Sequence, residues 1–297
     1  MIDFPLPPPS APAWFFHRIG GERHLGIALP TGEWLDVGRD DELVLLAEGG
    51  LRADHLRALA DDGEPIRSRP EFEVPVRRPS KILCLGKNYA AHAREMGGAV
   101  PEEPFAFAKL SDTLIPYAAP VVIPYWLDSA VEHEVELAAI VGFVDRDGRG
   151  RKHLRAEEAL ASVAGYTVFN DVTARKLQAG DRAQGHPWLR AKSIDTFGPI
   201  GPWVVPADAL DPRDLAIRLS VHGQVRQDGR TSQMAVGVGE ALAYLSRSFT
   251  LRPGDIVALG TPAGVGPVED GDVMLAEIEG IGCLANPVHK EPAPPAP

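Results

Sequence analysis

Cysteine is almost missing: the 297 residues include only Cys84 and Cys283. Two thiols exclude a disulfide framework and any Cys-based zinc spacing, and they read as small reduced core residues. Positive charge is in short supply too, with 30 Lys and Arg against 41 Asp and Glu and a formal net charge of −11. That balance argues against a nucleic-acid groove or an anionic membrane surface as partner, since both need concentrated cations. No run approaches the ~18 apolar residues of a membrane span, and no basic stretch followed by an apolar one opens the chain. The expectation is a soluble, cytoplasmic protein with neither a nucleic-acid nor a membrane partner.

What is abundant is glycine and proline, 30 and 28 residues, in a chain that is 44% hydrophobic and long enough for a sizeable core. Such usage favours many turns over a helical bundle. AWFFHRIGGERHLGIALPTGEWLDV alternates apolar and polar residues across GG and PTG and predicts a small antiparallel meander. DELVLLAEGGLRADHLRALADDG has helical spacing, best over Leu51 to Asp61. The character changes near EFEVPVRRPS, which divides the chain into a small N-terminal domain over 1–76, a main domain over 77–290 and a Pro-rich tail over 291–297. The opening PLPPPSAP and the closing EPAPPAP read as loosely ordered. KILCLGKNYAAHAREMGG predicts a strand, a glycine and a helix stopped by GG. LAIRLSVHGQVRQDGRTSQM predicts a hairpin with its turn at DG. Many short strands without regular strand–helix alternation predict a mixed β-rich, α+β fold rather than a doubly wound parallel sheet.

Chemistry concentrates in VEHEVELAAIVG, Val131 to Gly142. On an extended chain Glu132, Glu134 and Glu136 share one face, ahead of an apolar run that looks buried on both faces. Carboxylates entering a buried strand need a compensating cation, although a solvated charged face would also carry this pattern. Asp171 ends the apolar strand AGYTVFN and caps the next helix, a position Thr173 could also fill. With Glu134 and Glu136 it would complete the oxygen-only set that Mg²⁺ or Mn²⁺ prefers. His92 and Glu95, at i and i+3 of a helix, can pair so that the carboxylate orients a general base, or can be an ordinary surface pair. Lys192 in PWLRAKSIDTFGPIG reads as an ammonium held in a poorly solvated loop, able to stabilise an oxyanion. GTPAGVG has glycines whose backbone N–H groups can approach an anion, with Thr261 as a hydroxyl donor.

Taken in order, GKNYAAHAREMG, HEVELAAIVG, NDVTARKLQ, PWLRAKSIDTFGPIGPWV, QDGRTSQM, LRPGDIVALGTPAGVGPV and GDVMLAEIEGIGCLANPV resemble the catalytic domain of the fumarylacetoacetate hydrolase family, from about Lys81 to Val288. The resemblance implies a β-sandwich roll with a small α/β N-terminal extension, a homodimer, and one Mg²⁺ or Mn²⁺ on Glu134, Glu136 and Asp171. It matches His92 and Glu95 to a lid-borne dyad, Lys192 to an active-site lysine, and Gln178, Thr261 and Lys87 to substrate contacts. Glu132 falls at a variable position and keeps the reading of an exposed or outlying carboxylate. The implied substrate is a small 2-oxo acid. The implied reaction is hydrolytic carbon–carbon cleavage of an acylpyruvate through a metal-bound enolate. Oxaloacetate decarboxylation and isomerisation of a 2-hydroxyhepta-2,4-diene-1,7-dioate are alternatives on the same site. An idle homologue, in which the ion only neutralises the glutamates, is the non-enzymatic one.

Overall fold

A computed structural model describes residues 4–38, 41–48, 51–142 and 151–294. Its centre is the strand Val135–Val141, of which all seven residues are buried. The alternation of a strand sends Val135, Leu137, Ala139 and Val141 into one apolar core and Ala138 and Ile140 into another. That is why the run is apolar at every position instead of every second one. Its neighbours are Val163–Asn170 on one side and Ile256–Ala258 on the other, both antiparallel. Among the described residues they belong to a twelve-stranded mixed sheet that continues through Gly198–Pro206 to the N-terminal meander, and through Ile82–Gly86 to Phe105–Lys109. A five-stranded sheet built on Ala216–Val221, Val273–Ile278 and Gly282–Lys290 supplies Ile217, Leu219, Met274, Ala276 and Leu284 to the first core. Leu45, Leu46, Leu51 and Leu56 of the N-terminal helices lie in the second. The expected β-rich fold is the observed one.

The meander forms as Ala13–Ile19, Glu22–Ala28 and Trp34–Gly38, and its first turn uses Gly20 and Gly21 at φ +58° and +86°. The first strand also pairs with Gly198–Pro206 through Trp14 and Val204, so one sheet runs across position 76. The expected helix over Leu51 to Asp61 is Ala53–Asp61. The opening Pro-rich segment is not loose, because Ser10 N donates to Gly280 O at 3.0 Å and the Tyr117 hydroxyl donates to Phe4 O at 3.0 Å. Residues 291–294 have no regular structure, and 295–297 lie outside the described residues.

The hairpin of Ala216–Val221 and Gln224–Arg230 turns at His222–Gly223, where both φ angles are positive, +50° and +74°. The sequence placed that turn at Asp228–Gly229. Those residues are inside the second strand, and a Cβ on Gly229 would lie 2.8 Å from Pro262 Cβ. The glycine is there for close packing against the Gly-Thr-Pro turn, which local sequence does not distinguish from a turn signal.

Asn88 links that packing to the site. Its Nδ2 donates to Val236 O (3.0 Å) and Leu259 O (2.8 Å), and its Oδ1 accepts from Val236 N (2.9 Å). Truncation would strand buried backbone groups, at about 1–3 kcal/mol each. Asn88→Ala is therefore expected to destabilise the protein by about 2–4 kcal/mol, read as a fall in the urea midpoint. A midpoint equal to wild type would show that these bonds do not anchor the turn.

Candidate active site

The glutamate segment is not one strand. Val131–His133 pairs with Thr173–Ala174 and Gly266–Val268 in a three-stranded sheet, whereas Val135–Val141 joins the large one. The switch occurs at Glu134, whose N–H donates to the Asn170 side-chain oxygen at 2.8 Å. Its carbonyl accepts from Asp171 N, also at 2.8 Å. These two bonds lock the ends of neighbouring strands together. They bring Glu134, Glu136 and Asp171, all buried, to where one oxygen from each lies within 4.8 Å of the others.

Three cations balance this cluster. Lys192 Nζ is 2.9 Å from Glu134 Oε2 and 2.5 Å from Asp171 Oδ2. Lys109 Nζ is 2.8 Å from Asp171 Oδ1 and donates to Val172 O at 3.2 Å. Arg175 bridges Glu132 (2.6 Å) and Glu134 (2.5 Å) and donates to Gln178 Oε1 at 2.7 Å. Burial alone would raise the Glu134 carboxyl, but Lys192 and Arg175 outweigh it and hold the group well below the ordinary range. Burial also opposes charge on Lys192, yet Asp171 and Glu134 raise its pKa. Glu136 differs. Burial, then Asp171 and Glu134, push its carboxyl well up, against the weaker pull of Lys192 and of the Gly260 N–H at 2.8 Å. Asp171 Oδ1, fully buried, has Lys109 as an ion-pair partner but no hydrogen bond of good geometry. Three converging carboxylates, one repelled by its neighbours and one with a lone pair unused, form an all-oxygen set that fits a hard divalent cation such as Mg²⁺ or Mn²⁺.

The other predicted residues border the same cavity of about 400 Å³, except Glu95, which stands behind His92. His92 is buried on the helix Ala90–Glu95, and its Nδ1 is 3.1 Å from Glu95 Oε2. Glu95 in turn accepts from Gly264 N at 3.0 Å. No hydrogen bond occupies His92 Nε2 among the described residues, and the ring borders the cavity. Gln178, Thr261 and Lys87 also line it.

Several local expectations change. Asp171 and Thr173 do not cap the next helix, Arg175–Ala183, which has Ala174 at its N-cap. Thr173 Oγ1 donates within the cluster, to Asp171 O at 2.9 Å. Lys192 ends a four-residue helix, Leu189–Lys192, instead of lying in a loop. The anions met by the glycines of GTPAGVG are the protein's own Glu136 and Glu95. The Thr261 hydroxyl donates to Val135 O and accepts from Gln227, so it braces the turn. Glu132 is half-buried and holds Arg175. Sequence reasoning missed Arg175 and Lys109. Arg175 could have been found four residues after Asp171 in NDVTAR, and Lys109 closes the strand FAFAK beside the carboxylate strands.

Comparison with known proteins agrees with this arrangement. The family model described as Fumarylacetoacetate (FAA) hydrolase C-terminal matches residues 81–289. A fumarylacetoacetate hydrolase structure from Exiguobacterium antarcticum superposes with a TM-score of 0.82 at 34% identity, covering 95% of this chain and all of that one. A fumarylpyruvate hydrolase from Pseudomonas aeruginosa, solved with Mn²⁺ and pyruvate, has a TM-score of 0.66 at 41% identity and covers 76% and 94% of the two chains. Human mitochondrial oxaloacetate tautomerase FAHD2A is 40% identical over 231 residues, 75% of this chain and 70% of its own.

Removing one of three buried ligand candidates leaves too few oxygens, while loosening an outlying partner costs about tenfold in metal affinity. Alanine at Glu134, Glu136 or Asp171 is expected to abolish Mn²⁺ binding in calorimetry, and Glu132→Gln to weaken it by about tenfold. Undiminished binding by any of the three alanine variants would exclude that residue as a ligand.

Proposed function

The chain belongs to the fumarylacetoacetate hydrolase family, a family of metal-dependent enzymes, and from that premise we propose that it is a Mg²⁺- or Mn²⁺-dependent hydrolase that cleaves a carbon–carbon bond in an acylpyruvate-type 2,4-dioxo acid. The observation that carries this reading is that the His92–Glu95 pair serves the same cavity as the three carboxylates. A bare cation site would need no oriented base.

Glu134, Glu136 and Asp171 would hold the ion, which supplies Lewis acidity toward the oxygens of a 2-oxo acid. Glu95 accepts from His92 Nδ1, which fixes the ring and leaves Nε2 to take a proton from water. Hydroxide then adds to the C4 carbonyl of the acylpyruvate. The C3–C4 bond breaks, its electron pair passes into the C2 carbonyl, and the resulting enolate takes a proton at C3 to give pyruvate and a carboxylic acid. Lys192, buried beside Glu134 and Asp171 with its ammonium 4.8 Å above the Phe107 ring, adds fixed positive charge where the enolate charge develops. Gln178, its side-chain oxygen turned to Arg175, borders the path to the substrate tail.

The human relative's name supports a second reading on the same site, enol–keto proton transfer on oxaloacetate, which needs no water attack. Cleavage of acetylpyruvate or fumarylpyruvate with Mg²⁺ or Mn²⁺, lost in excess chelator, is the expected result for the hydrolase. His92→Ala should then lower kcat by about 10²–10⁴-fold. No cleavage by wild type, or cleavage indifferent to His92→Ala, sinks the hydrolase. Accelerated decay of enol-oxaloacetate without cleavage products would instead favour the tautomerase.

A further inference from the structure

Every cation so far assigned at the inner end of the cavity is committed. Lys192, Lys109 and Arg175 each contact one or two carboxylates. Two further cations border the same space and are not. Lys87 and Arg182 line both the inner cavity and a second one of about 950 Å³ that adjoins it, with Phe107 and Trp188 common to both walls. Neither cation has a hydrogen bond or ion pair among the described residues. Glu103 and His186 face the outer cavity alone, and neither is paired with Lys87 or Arg182.

The placement of the two is specific. Arg175, Gln178 and Arg182, at i, i+3 and i+7 of the helix Arg175–Ala183, share one face, and all three line the inner cavity. At ~1.5 Å of rise per residue the Arg182 backbone lies about 10 Å farther along than that of Arg175, which grips Glu134. Lys87 approaches from the turn before the His92 helix with φ +58°, and a Cβ on Gly98 would lie 2.9 Å from its ammonium. The lysine therefore rests against the GG that ends that helix.

We infer that Lys87 and Arg182 form a subsite for a second acidic group of the substrate, so that the preferred ligand is a dicarboxylic 2-oxo acid. The inference rests on the inner site binding the 2-oxo acid head. A head at the carboxylate cluster and an anion about 10 Å away match an extended chain of about seven carbons at ~1.5 Å per bond. The aromatic wall of Phe107 and Trp188 covers the apolar carbons between. A 2-oxo acid with a neutral tail would leave both cations without a partner in a partly enclosed space.

The test is direct binding to the full-length, Mn²⁺-loaded protein, which does not depend on turnover. Calorimetry compares 2-oxoheptanedioate with 2-oxoheptanoate, which differ only in the distal carboxylate. Wild type should bind the dianion about 10–100-fold more tightly, the worth of one or two charge-assisted hydrogen bonds. Lys87→Met and Arg182→Gln should each remove part of that preference, and the double variant all of it, without changing the affinity for 2-oxoheptanoate. No preference in wild type, or a preference that survives in the double variant, overturns the subsite even if acylpyruvates are cleaved. The expected preference in a protein that cleaves none of them keeps the subsite and removes the hydrolase reading. Failure of both ligands to bind overturns the subsite together with its premise.

Discussion

The site depends on one electrostatic constraint: four carboxylates, Glu132, Glu134, Glu136 and Asp171, converge in a space largely closed to water. Like charges this near cannot all ionise without compensation, and the desolvation of each makes the problem worse. Arg175, Lys192 and Lys109 supply part of the answer, and they set unequal charge states in the group. Glu134, touched by two of the cations, is held ionised, whereas Glu136, touched only by a backbone N–H, is pushed the other way. The remaining imbalance is what a divalent ion would relieve. Ion-pairing side chains and a metal are thus parts of one charge balance, and removing either changes what the other must do.

Such a cluster survives only in a scaffold whose rigidity comes from elsewhere. The strand Val135–Val141, packed on both faces, gives a fixed floor, and the change of sheet at Glu134 lifts the preceding carboxylate out of that floor and toward Asp171. Asn170 makes the change possible by occupying the Glu134 N–H that leaves the ladder, so no backbone donor is orphaned. Its amide donates to Met274 Sδ at 3.3 Å, a weak bond that points Asn170 away from the carboxylates. The same economy governs the turn before Thr261. Gln227 spans His133, Val135, Thr261 and Pro262 with its single amide, which ties the hairpin of the second sheet to the ligand-bearing strand.

Much of this was legible in the sequence because period and composition report burial. The continuous apolar run after Glu136 announced a strand with no solvent face, and the carboxylates before it announced a need for cations. What local pattern could not supply was the identity of those cations. Lys109 and Arg175 sit in segments that look ordinary, an aromatic strand and a helix start, and become special only when the sheet order sets Phe105–Lys109 near the end of Val163–Asn170. The misplaced hairpin turn has the same origin. Asp-Gly is a good turn pair, but Gly229 was spent on contact with Pro262, while His222 took a left-handed conformation that favours Asn or Gly. Asp171 likewise had an adequate local role as a cap, and the tertiary bond to Glu134 O displaced it.

Lys87 shows how such a scaffold sustains strain at a useful place. A lysine at φ +58° adopts a backbone state that costs about 1–2 kcal/mol for a residue with a Cβ. It is kept there because its neighbours are fixed on both sides. Gly86 ends a strand paired in parallel with Ile256–Ala258 and antiparallel with Phe105–Lys109, and Asn88 is held by three side-chain hydrogen bonds. The left-handed residue between them is the hinge that lets a buried strand turn into the His92 helix, and it projects its side chain over the cavity mouth. Glycine would make the turn without strain. A lysine there brings charge to a molecule whose net charge of −11 repels anions at long range. Within a Debye length of the cavity, the local cations outweigh that field. The strain and the charge then have a common reason: the turn that aims the base also aims an ammonium at whatever acidic group lies at the far end of the substrate.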